Sequence, residues 1–135
     1  MRNKSKKNSF YTVSREDYLI AVYLLHKNQG QVRSVDIADM LGYSKPSVSN
    51  GVHLLIKKGL LEMKDGYLLS LTDEGREKAE EIYERYIVVK NYLQYLLRVN
   101  QKTAETDSRR IEHLISPETL KKMSDCLLQA GIKGE

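Results

Sequence analysis

Apolar residues recur along this chain at two spacings, and the change from one to the other separates helices from a hairpin. Tyr18, Val22 and Leu25 trace one face of a first helix, which Ser14 is placed to cap, with Asp17 three residues on, and which Gly30 stops. Residues 34–41 predict a short helix ended by Gly42. A helix capped by Ser44 follows two residues later, with Val48, Val52 and Leu55 at i, i+4 and i+7. Gly59 closes it behind Lys57 and Lys58, cations that suit the negative end of a helix dipole. Over residues 60–71 the pattern turns strand-like: residues 61–64 and 67–70 flank Asp65 and Gly66, a strong signal for a two-residue hairpin turn.

Thr72 caps the next helix, and Asp73 and Glu74 lie in its first turn. That helix is predicted over residues 73–99, with no proline. Its apolar positions Ala79, Ile82, Tyr86, Val89, Leu93 and Leu96 are spaced 3, 4, 3, 4, 3, as in a helix packed along another helix. Tyr83, Ile87, Val88, Tyr92, Tyr95 and Leu97 widen the apolar surface, so partner helices or a second subunit must cover it. Beyond a polar connection at residues 100–103, Ile111, Leu114 and Ile115 mark a further helix. Ser116, Pro117 and Glu118 then start the last one, with serine as N-cap and proline in the first helical position. Leu120, Met123 and Leu127 form its buried side, and Gly131 stops it. The fold class is therefore mostly α: a winged helix-turn-helix N-terminal domain followed by a helical dimerisation domain. The expected boundaries are a basic flexible arm at residues 1–11, the winged-helix domain at 12–72 and the dimerisation domain at 73–135.

The helix opened by Ser44 carries the most informative chemistry. One stripe packs, leaving Pro46, Ser47, Ser49, Asn50, His53 and Lys57 on the other faces, with Lys45 at the start. Small hydrogen-bonding side chains and a cation at the start of a second helix, after a short first helix and a tight turn, suit insertion into a DNA groove. The charge agrees: among 135 residues the formal net charge is +4, and Arg2, Lys4, Lys6 and Lys7 all precede the first acidic residue, Glu16. Such an arm favours a polyanion through counterion release.

Cys126 is the only cysteine, which excludes an intramolecular disulfide and a thiolate zinc cluster, and it is expected to be a small buried residue. No apolar run approaches the roughly 20 residues of a membrane span, and the polar N-terminus lacks a secretory signal's apolar core, so a cytoplasmic protein with no membrane partner is expected. His26 is expected to cap or solvate the end of the first helix, and His53 to reach phosphate. No nucleophile, base and acid grouping and no glycine-rich phosphate loop stands out, so no enzyme is expected.

These residues resemble the diphtheria-toxin-repressor and manganese-transport-regulator family of metal-dependent repressors. The resemblance spans roughly residues 12–128. It is strongest in Glu16-Asp17-Tyr18, the segment from Ser44 to Asn50, Leu71-Thr72-Asp73-Glu74-Gly75, Glu84-Arg85, and Ile111-Glu112-His113 with Ser116. It implies a winged-helix DNA-binding half and a helical dimerisation half, in the short branch without an additional C-terminal domain. It also implies that Ser44, Pro46 and Asn50 lie near base edges and that Ser47 and Ser49 contact phosphate. The chemistry suits those roles, since asparagine pairs with adenine through donor and acceptor together and proline offers an apolar surface to a thymine methyl.

The resemblance further implies a Mn(II) or Fe(II) site. Asp17, Glu112 and His113 fall on ligand positions, and their donors suit a first-row divalent ion. The other positions depart from the pattern: Ile20 stands where the manganese branch has glutamate, Tyr86 where the family has histidine, Lys90 where part of it has a carboxylate, and Arg109 where it has cysteine or glutamate. Arg109, three residues before Glu112 and four before His113, is expected to supply permanently the positive charge that a metal supplies elsewhere. The expectation is a homodimeric repressor of double-stranded DNA with a degenerate metal site. The rivals are a true Mn(II)- or Fe(II)-responsive repressor using Asp17, Glu112 and His113, a regulator answering to a small organic ligand near the long helices, and a winged-helix protein-interaction module without DNA binding.

Overall fold

A computed structural model describes the backbone of residues 4–133 and the side chains of residues 15–133. The chain forms two units, Met1–Glu80 and Glu81–Glu135.

The first unit holds three helices and a hairpin: α1 (Lys4–Gln29), α2 (Ser34–Leu41), α3 (Lys45–Lys57), β1 (Leu61–Lys64) and β2 (Leu68–Leu71). Helix α1 starts ten residues before the expected cap at Ser14, because no glycine or proline before Gly30 interrupts it. Helix α1 thus begins within the stretch expected as a basic arm at residues 1–11, whose first three residues and all side chains lie outside the described residues. Tyr18, Leu19, Ile20, Ala21 and Val22 are all buried, so α1 is buried all round at this level and not along one stripe. Ile37 and Ala38 of α2 and Val48, Val52 and Leu55 of α3 complete the helical core, the last three on the face expected for them.

The strands pair antiparallel with Leu61 opposite Leu71 and Lys64 opposite Leu68. The turn therefore holds three residues, Asp65, Gly66 and Tyr67, where two were expected. Register explains the difference. Opposed residues share a face, so this pairing puts Leu69 and Leu71 on the face of Leu61; a two-residue loop would have put Leu68 and Ser70 there. Asp65 and Gly66 take positive φ of 54° and 78°, and the Tyr67 amide donates to the Lys64 carbonyl at 3.1 Å. Val32 adds a single bridge to β2, its carbonyl accepting from the Leu69 amide at 2.8 Å. No alternating pattern precedes Val32, and this pairing is invisible in the sequence.

Helix α4 (Asp73–Asn91) opens at Thr72, whose hydroxyl accepts from the Gly75 amide at 2.9 Å and donates to the Gly59 carbonyl at 2.6 Å. One side chain thus caps a new helix and ties it to the end of α3. Gly75 is required there, since a Cβ would run into the Leu60 carbonyl.

The second unit contains the rest of α4, then α5 (Gln101–Ile111) and α6 (Pro117–Gln129). The helix expected to reach residue 99 ends as α-helix at Asn91 and continues as one π-helical turn, Tyr92–Leu96. Arg98, at φ 63°, then reverses the chain, and the Asn100 carboxamide oxygen caps α5 by accepting from the Lys102 and Thr103 amides. Neither residue is a proline or glycine, so the usual stop signals are absent. Ile82, Ile87 and Val89 of α4, Ala104 and Ser108 of α5 and Leu127 of α6 are buried. Ile111 is the last residue of α5 and Leu114 is 70% exposed, so that trio marks the end of a helix and not its buried face. Ser116 caps α6 through the Thr119 amide, as expected. Cys126 is exposed, contrary to expectation: one residue before the buried Leu127, it lies about 100° round the helix from it. Among the described residues, no helix is long and apolar enough to cross a membrane.

Candidate nucleic-acid interface

Helix α3 is built to be held from one side. Ser44 is its N-cap, its hydroxyl accepting from the Ser47 amide at 3.3 Å, and Pro46 occupies the first turn, where a missing N–H costs nothing. Val48, Gly51, Val52 and Leu55 are buried, whereas Ser44, Lys45, Pro46, Ser47, Asn50, His53 and Lys57 are exposed and Ser49 half-buried. Pro46, Asn50, His53 and Lys57 are spaced 4, 3, 4, so they form one exposed row opposite the buried one. His53 accompanies Asn50 on this row with Nδ1 donating to the Ser49 carbonyl at 2.8 Å, which leaves Nε2 toward solvent. The β1–β2 hairpin follows, its turn exposed and of mixed charge at Lys64 and Asp65.

Tyr18 and Tyr43 seat α3, and sequence reasoning gave neither that task. The Tyr18 ring fills the space where Gly51 has no side chain, and any Cβ at residue 51 would collide with it. Its hydroxyl donates to the Ser47 carbonyl at 3.2 Å. The Tyr43 ring meets that of Tyr18 edge-to-face, with centroids 5.8 Å apart, and the Tyr43 hydroxyl donates to Asp17 Oδ2 at 3.2 Å. A glycine inside an otherwise regular helical pattern was the one available signal.

Of the positions implicated in metal binding, two lie in the first unit: Asp17 accepts from Tyr43, and Ile20 is 6% exposed, part of the core. In the second unit Glu112 is 2% exposed and accepts from Arg85 Nε at 3.0 Å. Arg85 is thus a cation paired with Glu112; Arg109, expected to serve there, is exposed on α5. His113 lies beside Glu112 in sequence, its Nδ1 buried without a hydrogen-bond partner among the described residues. Burial raises the Tyr86 phenol above its usual pKa, Glu105 and Tyr83 push the same way and Arg109 opposes, so Tyr86 is a neutral phenol at physiological pH. Lys90 is half-buried. Between α4 and α6 a cleft of about 760 Å³ is lined by Arg85, Val88, His113, Ile115, Leu120 and Leu128 among others.

A capped second helix with a mostly polar outer row, a preceding short helix and a following hairpin define a winged-helix protein of the DNA-binding type. Comparison with known proteins agrees for both units. Residues 11–67 match the N-terminal DNA binding domain of the iron dependent repressors, and residues 72–130 match their metal binding and dimerisation domain. The chain belongs to the iron dependent repressor family of transcriptional regulators. It is 37% identical over 105 residues to the transcriptional regulator MntR of Escherichia coli, covering 78% of this chain and 67% of that protein. It is 33% identical over 120 residues to that of Salmonella typhimurium, covering 89% and 76%. Among solved structures it is similar to T. acidophilum IdeR, with a TM-score of 0.76 at 21% identity over 88% of this chain. The manganese regulator SloR gives 0.76 at 23% identity over 84%. These two likenesses concern the fold. The chain spans about half the length of those structures, 55% and 53%.

Proposed function

We propose that the protein is a sequence-specific repressor of transcription that binds double-stranded DNA as a homodimer in the cytoplasm, is not an enzyme, and reads DNA with α3. The carrying observation is the division of that helix into a buried row, Val48, Gly51, Val52 and Leu55, and an exposed outer row, Pro46, Asn50, His53 and Lys57, that is polar apart from Pro46. Ser44, Pro46 and Asn50 face base edges, Ser47 and Ser49 contact phosphate, and Lys45 adds charge. The relatives are named as transcriptional regulators, which supports this reading over a protein-interaction module.

The ligand positions implied by the family resemblance do not make up a complete site for a first-row divalent ion. Ile20 is core, Tyr86 is a neutral phenol, Asp17 holds Tyr43, and Glu112 is paired with Arg85. Regulation in this protein is therefore weakly dependent on metal or independent of it. One observation favours the second reading, a Mn(II)- or Fe(II)-responsive repressor using Asp17, Glu112 and His113: the His113 Nδ1 is buried and unpartnered. Titrating chelator-treated protein with Mn(II) and Fe(II), with binding to a duplex selected from a random pool as the readout, decides between them. Affinity unchanged by metal supports the degenerate site; a large stoichiometric rise supports the second reading. Failure to select any duplex removes the DNA-binding proposal itself.

A further inference from the structure

We propose that Asp17 is a positioning residue for the reading helix, acting through Tyr43 and Tyr18, and that it serves DNA recognition without a metal. The inference rests on α3 being the reading helix. Three observations carry it. Asp17 Oδ2 accepts from the Tyr43 hydroxyl at 3.2 Å; the Tyr43 and Tyr18 rings meet at 82° with centroids 5.8 Å apart; and the Tyr18 hydroxyl donates to the Ser47 carbonyl at 3.2 Å. Every link lies in the first unit, and the last grips the first turn of α3, which carries Pro46 and Ser47 behind the Ser44 cap, one turn before Asn50.

Position along the chain strengthens the argument. Tyr43 lies between Gly42, which ends α2 at φ 73°, and Ser44, which caps α3. The bond from Asp17 therefore holds the residue that sets how α3 leaves the turn. Tyr18, next to Asp17 on α1, is 3% exposed and seated where Gly51 lacks a side chain. A buried ring in a gap that admits no Cβ cannot slide along α3, so the two tyrosines fix both the turn and the register of the helix.

The chemistry separates this role from metal ligation. Asparagine at residue 17 keeps a side-chain oxygen to accept from Tyr43 but loses the anionic donor that a divalent ion needs. The test uses the full chain in chelator and measures anisotropy on the duplex that the wild-type protein selects from a random pool. Tyr43→Phe and Asp17→Ala are each expected to weaken binding about fivefold, and the double variant no further than either single one. Asp17→Asn should stay within about twofold of wild type. Repeating the selection with Tyr43→Phe should give a less defined consensus at the bases nearest the start of α3. Asp17→Asn as weak as Asp17→Ala, additive effects in the double variant, or Tyr43→Phe indistinguishable from wild type would each overturn the proposal. If the wild-type protein selected no duplex, the reading of α3 would fall first, and that failure is visible before any variant is made.

Discussion

At the scale of single residues, the two exposed types on α3 should fail in different ways. Asn50 carries a donor and an acceptor, so Asn50→Ala should relax base preference at one operator position by about 1 to 3 kcal/mol. Lys45→Ala removes only a charge and should weaken binding to all duplexes alike, lowering the salt slope by about one. Binding curves on operator and scrambled duplexes at several salt concentrations check both, and an unchanged consensus for Asn50→Ala would remove α3 from the groove. Arg85 gives a prediction about stability. Its guanidinium pairs with a nearly fully buried carboxylate, so Arg85→Gln should destabilise the protein by about 2 kcal/mol in urea unfolding. A midpoint equal to wild type would mean that Glu112 relies on its other contacts.

At the scale of elements, legibility followed the local signals. Residues whose own chemistry forces a boundary, such as Gly42, Ser44, Thr72 and Ser116, marked real ends, so α2, α3, the start of α4 and α6 were readable. The π turn after Asn91, the three-residue wing turn and the bridge at Val32 were not, because each answers to register or chain reversal set by distant residues. The site divided similarly. The outer row of α3 follows from helical spacing alone, whereas Tyr43 on Asp17 and Arg85 on Glu112 join residues 26 and 27 positions apart, which no periodicity foretells. Gly51 lies between these cases, a visible oddity whose cause is the Tyr18 ring. Gly51→Ala should raise intrinsic helix propensity yet cost about 2 kcal/mol in stability, because the added methyl overpacks that ring. Thermal melts beside Tyr18→Leu, which frees the space, check the sign: Gly51→Ala should be better tolerated in that background.

At the scale of the whole molecule, the second unit leaves Tyr95, Leu97, Leu114 and Leu128 each about half exposed or more, and the family domain that matches it is one of dimerisation. A second copy is the expected cover, so sedimentation should give a two-fold dimer at micromolar concentration, and a stable monomer would also remove the reason to expect a palindromic operator. Metal response is the last expectation. A ligand shifts an equilibrium only as far as it prefers one state over the other. In this chain the carboxylates at the ligand positions implied by the resemblance have partners, Tyr43 on Asp17 and Arg85 on Glu112, and Ile20 and Tyr86 contribute no anionic donor at physiological pH. Operator affinity in chelator should therefore lie within about threefold of that in excess Mn(II) or Fe(II), a difference below about 1 kcal/mol. Arg85→Gln provides the contrasting arm: with Glu112 released beside His113, some metal response should appear even though the protein is less stable. A wild-type protein whose affinity rises a hundredfold with one equivalent of Mn(II) would show that the metal displaces Arg85 and Tyr43, and that these contacts belong to its unloaded state.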